Sequence, residues 1–150
     1  MSGPADGSGG GASPLWAKPG AAVEADAMAF MSRDDVILDR ELFPFDIRAT
    51  RAHVKGLVSI ELIEAEDGDR IDAALAELDA LFASGDFVLD ERFEDGHTAI
   101  ESFLVEKLGE AGKRVHLGRS RNDQVAVALR LYMLDVLDRA RASCLAIGRA

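Results

Sequence analysis

Apolar residues recur at steps of three and four along residues 125–150, and this periodicity constrains the fold more than any other feature. Such spacing places them on one face of a long helix. An amphipathic helix of this length needs other helices to cover its apolar face. We therefore predict a mainly α-helical protein in which this helix is buried along one side. The predicted buried face consists of Val125, Leu129, Tyr132, Val136 and Ala140.

A polar segment, residues 118–124, lies where this helix is predicted to begin. Backbone N–H groups at a helix start are unpaired and lie at the positive end of the helix dipole, so they favour an anion. Arg119 and Arg121 add planar guanidinium groups suited to two-point contacts with carboxylates, and Asn122 adds an amide. Taken alone, these residues indicate either a site for a small carboxylate-bearing ligand or a helix start with surface ion pairs.

Charge and composition exclude several classes of protein. The net charge of −10 argues against a nucleic-acid surface, which needs a basic stripe. A single cysteine, Cys144, rules out an internal disulfide framework and is predicted to be a small buried residue. The chain has neither an apolar run long enough for a membrane span nor the charged-then-apolar order of a signal peptide. We predict a soluble cytoplasmic protein.

The remaining segments predict several shorter elements. Residues 1–14 are rich in glycine and proline and are predicted to be a disordered leader. Asp39 is interpreted as a helix N-cap or a site residue, and Pro44 is placed in the first turn of a helix. His53 is interpreted as a packing residue. The other predicted elements are short helices at 23–31 and 43–57, a helix at 71–82 closed by Ser84-Gly85, an extended segment at 87–89, and a helix from about 96 that Gly109 ends.

The polar segment also carries a resemblance. Residues 118–125, Gly-Arg-Ser-Arg-Asn-Asp-Gln-Val, resemble the signature of the argininosuccinate lyases at every position. Residues 94–101 resemble that family's Glu-Asp-x-His-Thr-x-x-Glu segment, and residues 46–53 resemble a third family segment. The resemblance implies an amino-terminal helical domain at 15–117 and the truncated start of a central-bundle helix at 118–150.

The resemblance further implies a function. Argininosuccinate lyases release arginine and fumarate by β-elimination without metal or cofactor, and they are homotetramers. By this resemblance the general acid and base belong to segments downstream of this chain, and the fragment alone is inactive. Glu101 is a candidate partner for Arg119 or Arg121. The residues expected to bind argininosuccinate are His97, Thr98, Arg119, Ser120, Arg121, Asn122, Asp123 and Gln124.

Three questions stay open at the level of sequence. The family has a substrate-contacting serine where this chain has Asp35, and Ser32 lies three places away. A non-enzymatic, oligomerising homologue of the delta-crystallin type is an alternative to an enzyme. Another lyase of the same superfamily, acting on a different succinyl adduct, is a further alternative.

Overall fold

The structure, a computed structural model, describes the backbone of residues 25–149 and the side chains of residues 36–149. The predicted leader at 1–14 and the side chains of Ser32 and Asp35 lie outside the described residues. In the described residues all regular secondary structure is helical, which confirms the mainly α prediction. The helices are α1 (Ala25–Ser59), α2 (Ala65–Ser84), α3 (Gly96–Leu108), α4 (Glu110–Lys113) and α5 (Arg121–Ile147).

Helix α1 is continuous, although the sequence predicted two helices separated near Asp39. Pro44 lies well inside α1 instead of in a first turn. A proline in a helix interior costs about 3 kcal/mol. Val36, Phe43 and Ile47 lie on both sides of this position and are almost completely buried. Each such side chain contributes about 1.5–3 kcal/mol on burial, so packing outweighs the cost of the proline.

Helices α2 and α3 end where the sequence predicted. Gly85 follows α2 with a φ of 84°, a left-handed conformation that glycine adopts readily, and its N–H donates to Phe82 O. Gly109 follows α3 with a φ of 61°. Asp95 caps the start of α3 by accepting a hydrogen bond of 2.7 Å from the Thr98 N–H. Local turn chemistry therefore sets these boundaries.

The core lies between α1, α2 and α3 and is lined by aromatic rings. Phe43 of α1 packs against Phe82 of α2, with ring centroids 4.8 Å apart, and stacks on Phe87 at 5.8 Å. Residues 87–89 were predicted to be extended and strand-like, but they pair with no strand in the described part of the chain. Leu89 is instead buried in the core, and its carbonyl accepts a hydrogen bond from Arg40 Nε at 2.8 Å.

Helix α5 packs chiefly on α1, and the buried face differs from the predicted one. Gln124 and Ala128 are buried, and Tyr132 meets Phe45 of α1 edge-on at 5.7 Å. Val125 and Leu129, predicted to be buried, are each 44% exposed. The contact face is therefore offset from the apolar stripe, and the described residues place no helix over the stripe.

The far half of α5 is exposed throughout the described residues. Cys144, predicted to be buried, is exposed. Leu134, Leu137 and Ile147 also present most of their surface to solvent. Within residues 25–149, no helix combines the length and hydropathy that a membrane span requires.

Glu61, in the turn between α1 and α2, has a φ of 61°. A non-glycine residue in this left-handed region loses about 1–2 kcal/mol, whereas glycine adopts it without a Cβ penalty. Glu61→Gly is therefore expected to raise the free energy of unfolding by about 0.5 kcal/mol after the entropy of the more flexible unfolded chain is subtracted. Urea unfolding measures the change. Glu66→Gly, on the exposed side of helix α2, is the control and is expected to lose about 1 kcal/mol; equal losses in both variants would contradict the assignment of strain.

Candidate ligand-binding site at the start of helix α5

Ser120 and Asp123 form a reciprocal cap at the first turn of α5. Ser120 is the N-cap residue, and its hydroxyl oxygen accepts a hydrogen bond from the Asp123 N–H at 3.4 Å. The Asp123 carboxylate accepts from the Ser120 N–H at 2.8 Å and from its hydroxyl at 2.9 Å. These bonds hold the Asp123 pKa below its usual value. Both side chains therefore stabilise the helix start in a capping box, which leaves the Ser120 hydroxyl proton occupied.

Arg119 points into the protein. Its Nη2 donates to Thr50 Oγ1 of α1 at 2.8 Å and contacts His116 Nδ1 at 3.2 Å. Burial lowers the pKa of Arg119, while the charges of Asp46 and Asp123 oppose that shift. Through this hydrogen bond, the Arg119 side chain holds the segment that precedes α5 against α1.

Arg121 lies across the start of α3, and its side chain remains 42% exposed. Its Nη1 forms ion pairs with Asp95 Oδ2 at 2.9 Å and Glu94 Oε1 at 3.2 Å. Its Nη2 is 3.4 Å from Thr98 Oγ1. The structure thus brings the two resembling segments, 94–101 and 118–125, together around one guanidinium group. A ligand carboxylate at Arg121 has to share it with two protein carboxylates.

The other predicted ligand-binding residues are divided between the surface and the interior. Asn122 is exposed beside Arg121. Gln124 is 4% exposed and faces the α1 contact. His97 is buried, and its Nδ1 contacts the carboxylate of Asp46 on α1. Thr98 is buried with its hydroxyl toward Arg121.

A small cavity lies behind this site and is too small for a dicarboxylate. Its volume is about 20 Å³, roughly the space for one water molecule. Its walls include Asp39, Asp46, His97 and Val125. Ligand binding therefore belongs on the open side of the site, where Arg121 and Asn122 are exposed.

Three polar neighbours of the site were not assigned to it from the sequence. Asp46 holds His97, Thr50 holds Arg119, and His116 lies between Arg119 and Glu101. Asp46 and Thr50 belong to the segment at 46–53 that resembles the family, which was the available signal. His116 lies two residues before the signature but has no helical or strand periodicity to mark it.

Two other sequence interpretations concern this region. His53, interpreted as a packing residue, is half-buried, and its Nε2 donates to Leu117 O at 2.9 Å. Glu101 is also half-buried; burial raises its pKa, and the charge of Arg121 lowers it. Glu101 lies 3.8 Å from His116 Nε2. Glu101 therefore interacts with Arg121 through its charge, and its described side-chain contact is with His116.

Asp39 was interpreted as a helix N-cap or a site residue, and the N-cap interpretation is wrong because Asp39 lies inside α1. Its Oδ2 instead accepts a hydrogen bond of 2.9 Å from the Gly96 N–H at the start of α3. Burial raises the Asp39 pKa above 3.8, although the Gly96 bond opposes this shift. Asp39 thus joins α1 to the start of α3 through a half-buried carboxylate.

The raised pKa of Asp39 predicts a specific pH dependence. Because the folded state holds this proton more tightly than the unfolded state, the contribution of Asp39 to stability falls as the pH rises above about 3.8. Asp39→Asn keeps an acceptor for Gly96 and cannot ionise, so its stability relative to wild type is expected to increase between pH 4 and pH 7. Urea unfolding of both proteins at the two pH values measures this difference.

Asp39→Ala is the matched control, because it removes the acceptor and is expected to lose about 1 kcal/mol. A wild-type-to-Asn difference that is the same at both pH values would show that Asp39 does not titrate as described.

Comparison with known proteins identifies the family of this chain. A protein-family model described as "Lyase" matches residues 21–142. A protein named argininosuccinate lyase from Xanthomonas campestris pv. campestris (strain B100) is 50% identical over 128 residues, which cover 85% of this chain and 30% of the relative. Proteins of the same name from Stenotrophomonas maltophilia (strain R551-3) and Xylella fastidiosa (strain 9a5c) are 52% identical over 128 residues and 49% identical over 123 residues. They are covered to 29% and 28% of their lengths, with 83% and 82% of this chain aligned. The chain therefore spans less than a third of the relatives it matches.

Proposed function

Because this chain belongs to the lyase family, we propose that it forms the amino-terminal part of an argininosuccinate lyase, which cleaves argininosuccinate to arginine and fumarate. The observation that carries the proposal is the meeting of two segments around Arg121, with Thr98 and Asn122 beside it. The relatives named argininosuccinate lyase support the choice of substrate.

The reaction needs stabilisation of negative charge. A general base removes a proton from the carbon next to a succinyl carboxylate, the C–N bond to the guanidino nitrogen then breaks, and a general acid protonates that nitrogen. The intermediate carries extra negative charge on the carboxylate oxygens. Preorganised donors stabilise such charge best. We assign this role to Arg121, Asn122 and the start of α5, whose dipole favours an anion.

The proton-transfer groups are proposed to lie in other segments of the lyase. His116 is poorly suited to act as the base near neutral pH. His97 is buried against Asp46, and burial lowers the pKa of His116 to about 3. A group of such low pKa is a weak base, so this chain supplies binding and electrostatic stabilisation. No metal or organic cofactor takes part in the proposed reaction.

In the full-length lyase, this chain is proposed to contribute one domain and the start of another. Residues 15–117 would form the amino-terminal domain, and residues 118–150 would begin a central helical bundle of a cytoplasmic homotetramer. The exposed apolar side chains of α5, among them Leu134 and Leu137, support burial against further helices. The size of the oligomer is to be measured by sedimentation.

The test is a chimera in which this chain replaces the matching 30% of the Xanthomonas campestris relative. The chimera is expected to release fumarate from argininosuccinate, measured by ultraviolet absorbance, whereas the isolated 150-residue chain is expected to release none. A chimera that folds and assembles like the parent relative but releases no fumarate would contradict the proposal. Fumarate from another succinyl compound only would indicate a different lyase of the superfamily.

A further inference from the structure

His116 lies in the segment between α4 and α5 and is mostly buried. Its Nδ1 is 3.2 Å from Arg119 Nη2, and its Nε2 is 3.8 Å from Glu101 Oε2 on α3. Arg119 is held in turn by Thr50 of α1. The imidazole therefore lies between a cation fixed to one helix and a carboxylate on another.

The contact with Arg119 determines where the proton of His116 resides. A guanidinium group is only a donor, so His116 Nδ1 has to be the acceptor and carries no hydrogen. A neutral imidazole with an unprotonated Nδ1 bears its proton on Nε2. The neutral form is favoured because burial, together with the nearby charges of Arg119 and Arg121, lowers the His116 pKa to about 3. His53 and His97 also lie close enough to contribute.

The resulting N–H group at Nε2 is directed to the side of the site where Glu101 lies. Nε2 has no hydrogen-bond partner among the described residues, and 3.8 Å is longer than a direct hydrogen bond. A shift of less than 1 Å would bring Glu101 into bonding range. Glu101 also interacts electrostatically with Arg121, so the His116 proton lies on the side of a carboxylate that senses the charge of the proposed ligand-binding arginine.

We propose that His116 is a positioning residue of the α5 site: it accepts from Arg119 at Nδ1 and presents its Nε2–H to Glu101. It thereby couples the arginine fixed to α1 with a carboxylate that interacts electrostatically with Arg121. The consequence for catalysis rests on the proposed function, whereas the tautomer and the Arg119 contact do not.

The first experiment is long-range ¹H–¹⁵N NMR of the histidine rings in the 150-residue chain without ligand. His116 is expected to be neutral and protonated at Nε2 between about pH 5 and pH 8. A purely packing role would not select this tautomer. A proton on Nδ1, or an ordinary titration within that range, overturns the inference.

The second experiment compares variants that keep or remove the acceptor at Nδ1. His116→Asn places its side-chain oxygen near the position of Nδ1, where it can accept the same hydrogen bond from Arg119. This bond hinders rotation of the Arg119 guanidinium group, so its N–H signals in the NMR spectrum are expected to stay sharp. His116→Leu is expected to lose them. Sharp Arg119 signals in the leucine variant, or their equal loss in both variants, overturn the role of His116 as acceptor.

The third measurement uses the fumarate assay. His116→Leu is expected to lower kcat/KM about tenfold or more, because it removes one of the two acceptors that hold the buried Arg119 Nη2 group and leaves only Thr50 Oγ1. His116→Asn is expected to recover part of that loss. Equal activity of the leucine variant and the wild type overturns the catalytic consequence. An inactive wild type instead contradicts the proposed function, and the NMR result then decides the structural inference independently.

Discussion

Replacing Arg121 by glutamine is expected to lower kcat/KM for argininosuccinate by about 100-fold or more in the chimera, because loss of one preorganised donor to a developing anion costs 10²–10³ in rate. Arg121 is the arginine of the signature that keeps an exposed guanidinium group, with 42% of its side chain accessible. Arg121→Lys retains the charge but loses the planar two-point geometry, so an intermediate loss is expected. Fumarate release measures all three proteins.

Arg130→Gln is the matched control, because Arg130 lies exposed on the same helix. It is expected to leave kcat/KM close to the wild-type value. The Arg121 assignment fails if Arg121→Gln and Arg130→Gln have the same kcat/KM. Circular dichroism of each variant verifies that α5 is retained.

Gly112→Ala is expected to lower the free energy of unfolding by about 3 kcal/mol or more, at the upper end of overpacking effects. Gly112 of α4 is buried against the backbone of α3. An added Cβ would meet the Leu104 carbonyl and lie 2.7 Å from Val105 N. Backbone atoms cannot rotate away as a side chain does, so α4 has to separate from α3. Urea unfolding of the chain measures the loss.

Gly56→Ala is the control with the opposite expected sign. Gly56 lies inside α1, and an added Cβ there meets no other atom within 4 Å. Alanine is favoured over glycine in a helix interior by about 0.5–1 kcal/mol, so this variant is expected to be more stable than wild type. Destabilisation of both variants by similar amounts would show that the Gly112 contact is not the cause.

Together the two substitutions also separate stability from the site. Gly112 precedes the segment that carries His116 and Arg119, so displacement of α4 should disturb the contact between Arg119 and Thr50. Gly56 has no such connection among the described contacts. Loss of the Arg119 signals in the Gly112 variant alone is therefore the expected pattern.

Prediction from the sequence succeeded where short-range chemistry decides the outcome. The ends of the helices before Gly85 and Gly109 were predicted correctly. At both positions a glycine with a positive φ ends the helix, and this depends only on neighbouring residues. The start of α5 after Gly118 was also predicted, and the capping box at Ser120 explains it. Prediction failed at Asp39 and Pro44, where local preferences favoured a break and core packing kept α1 continuous.

The site was predicted only in part. The sequence indicated one polar segment suited to an anion, at 118–124, and the resemblance added a second segment at 94–101. The structure brings both segments together around Arg121. The sequence alone did not distinguish the roles of Arg119 and Arg121, since both are arginines in one short segment. Only the approach of α1 shows that Arg119 meets Thr50 while Arg121 remains partly exposed. Whether the eight predicted residues bind substrate stays a prediction.

The sequence by itself determined the helical class, most helix ends and the polar start of α5, because periodicity, caps and glycines act over a few residues. The tertiary structure decided which face of α5 is buried and which arginine is anchored. Those outcomes depend on contacts between residues far apart in the chain, such as Arg119 with Thr50 and Tyr132 with Phe45. Helical periodicity identifies an apolar face, but only the neighbouring helix determines whether that face is covered.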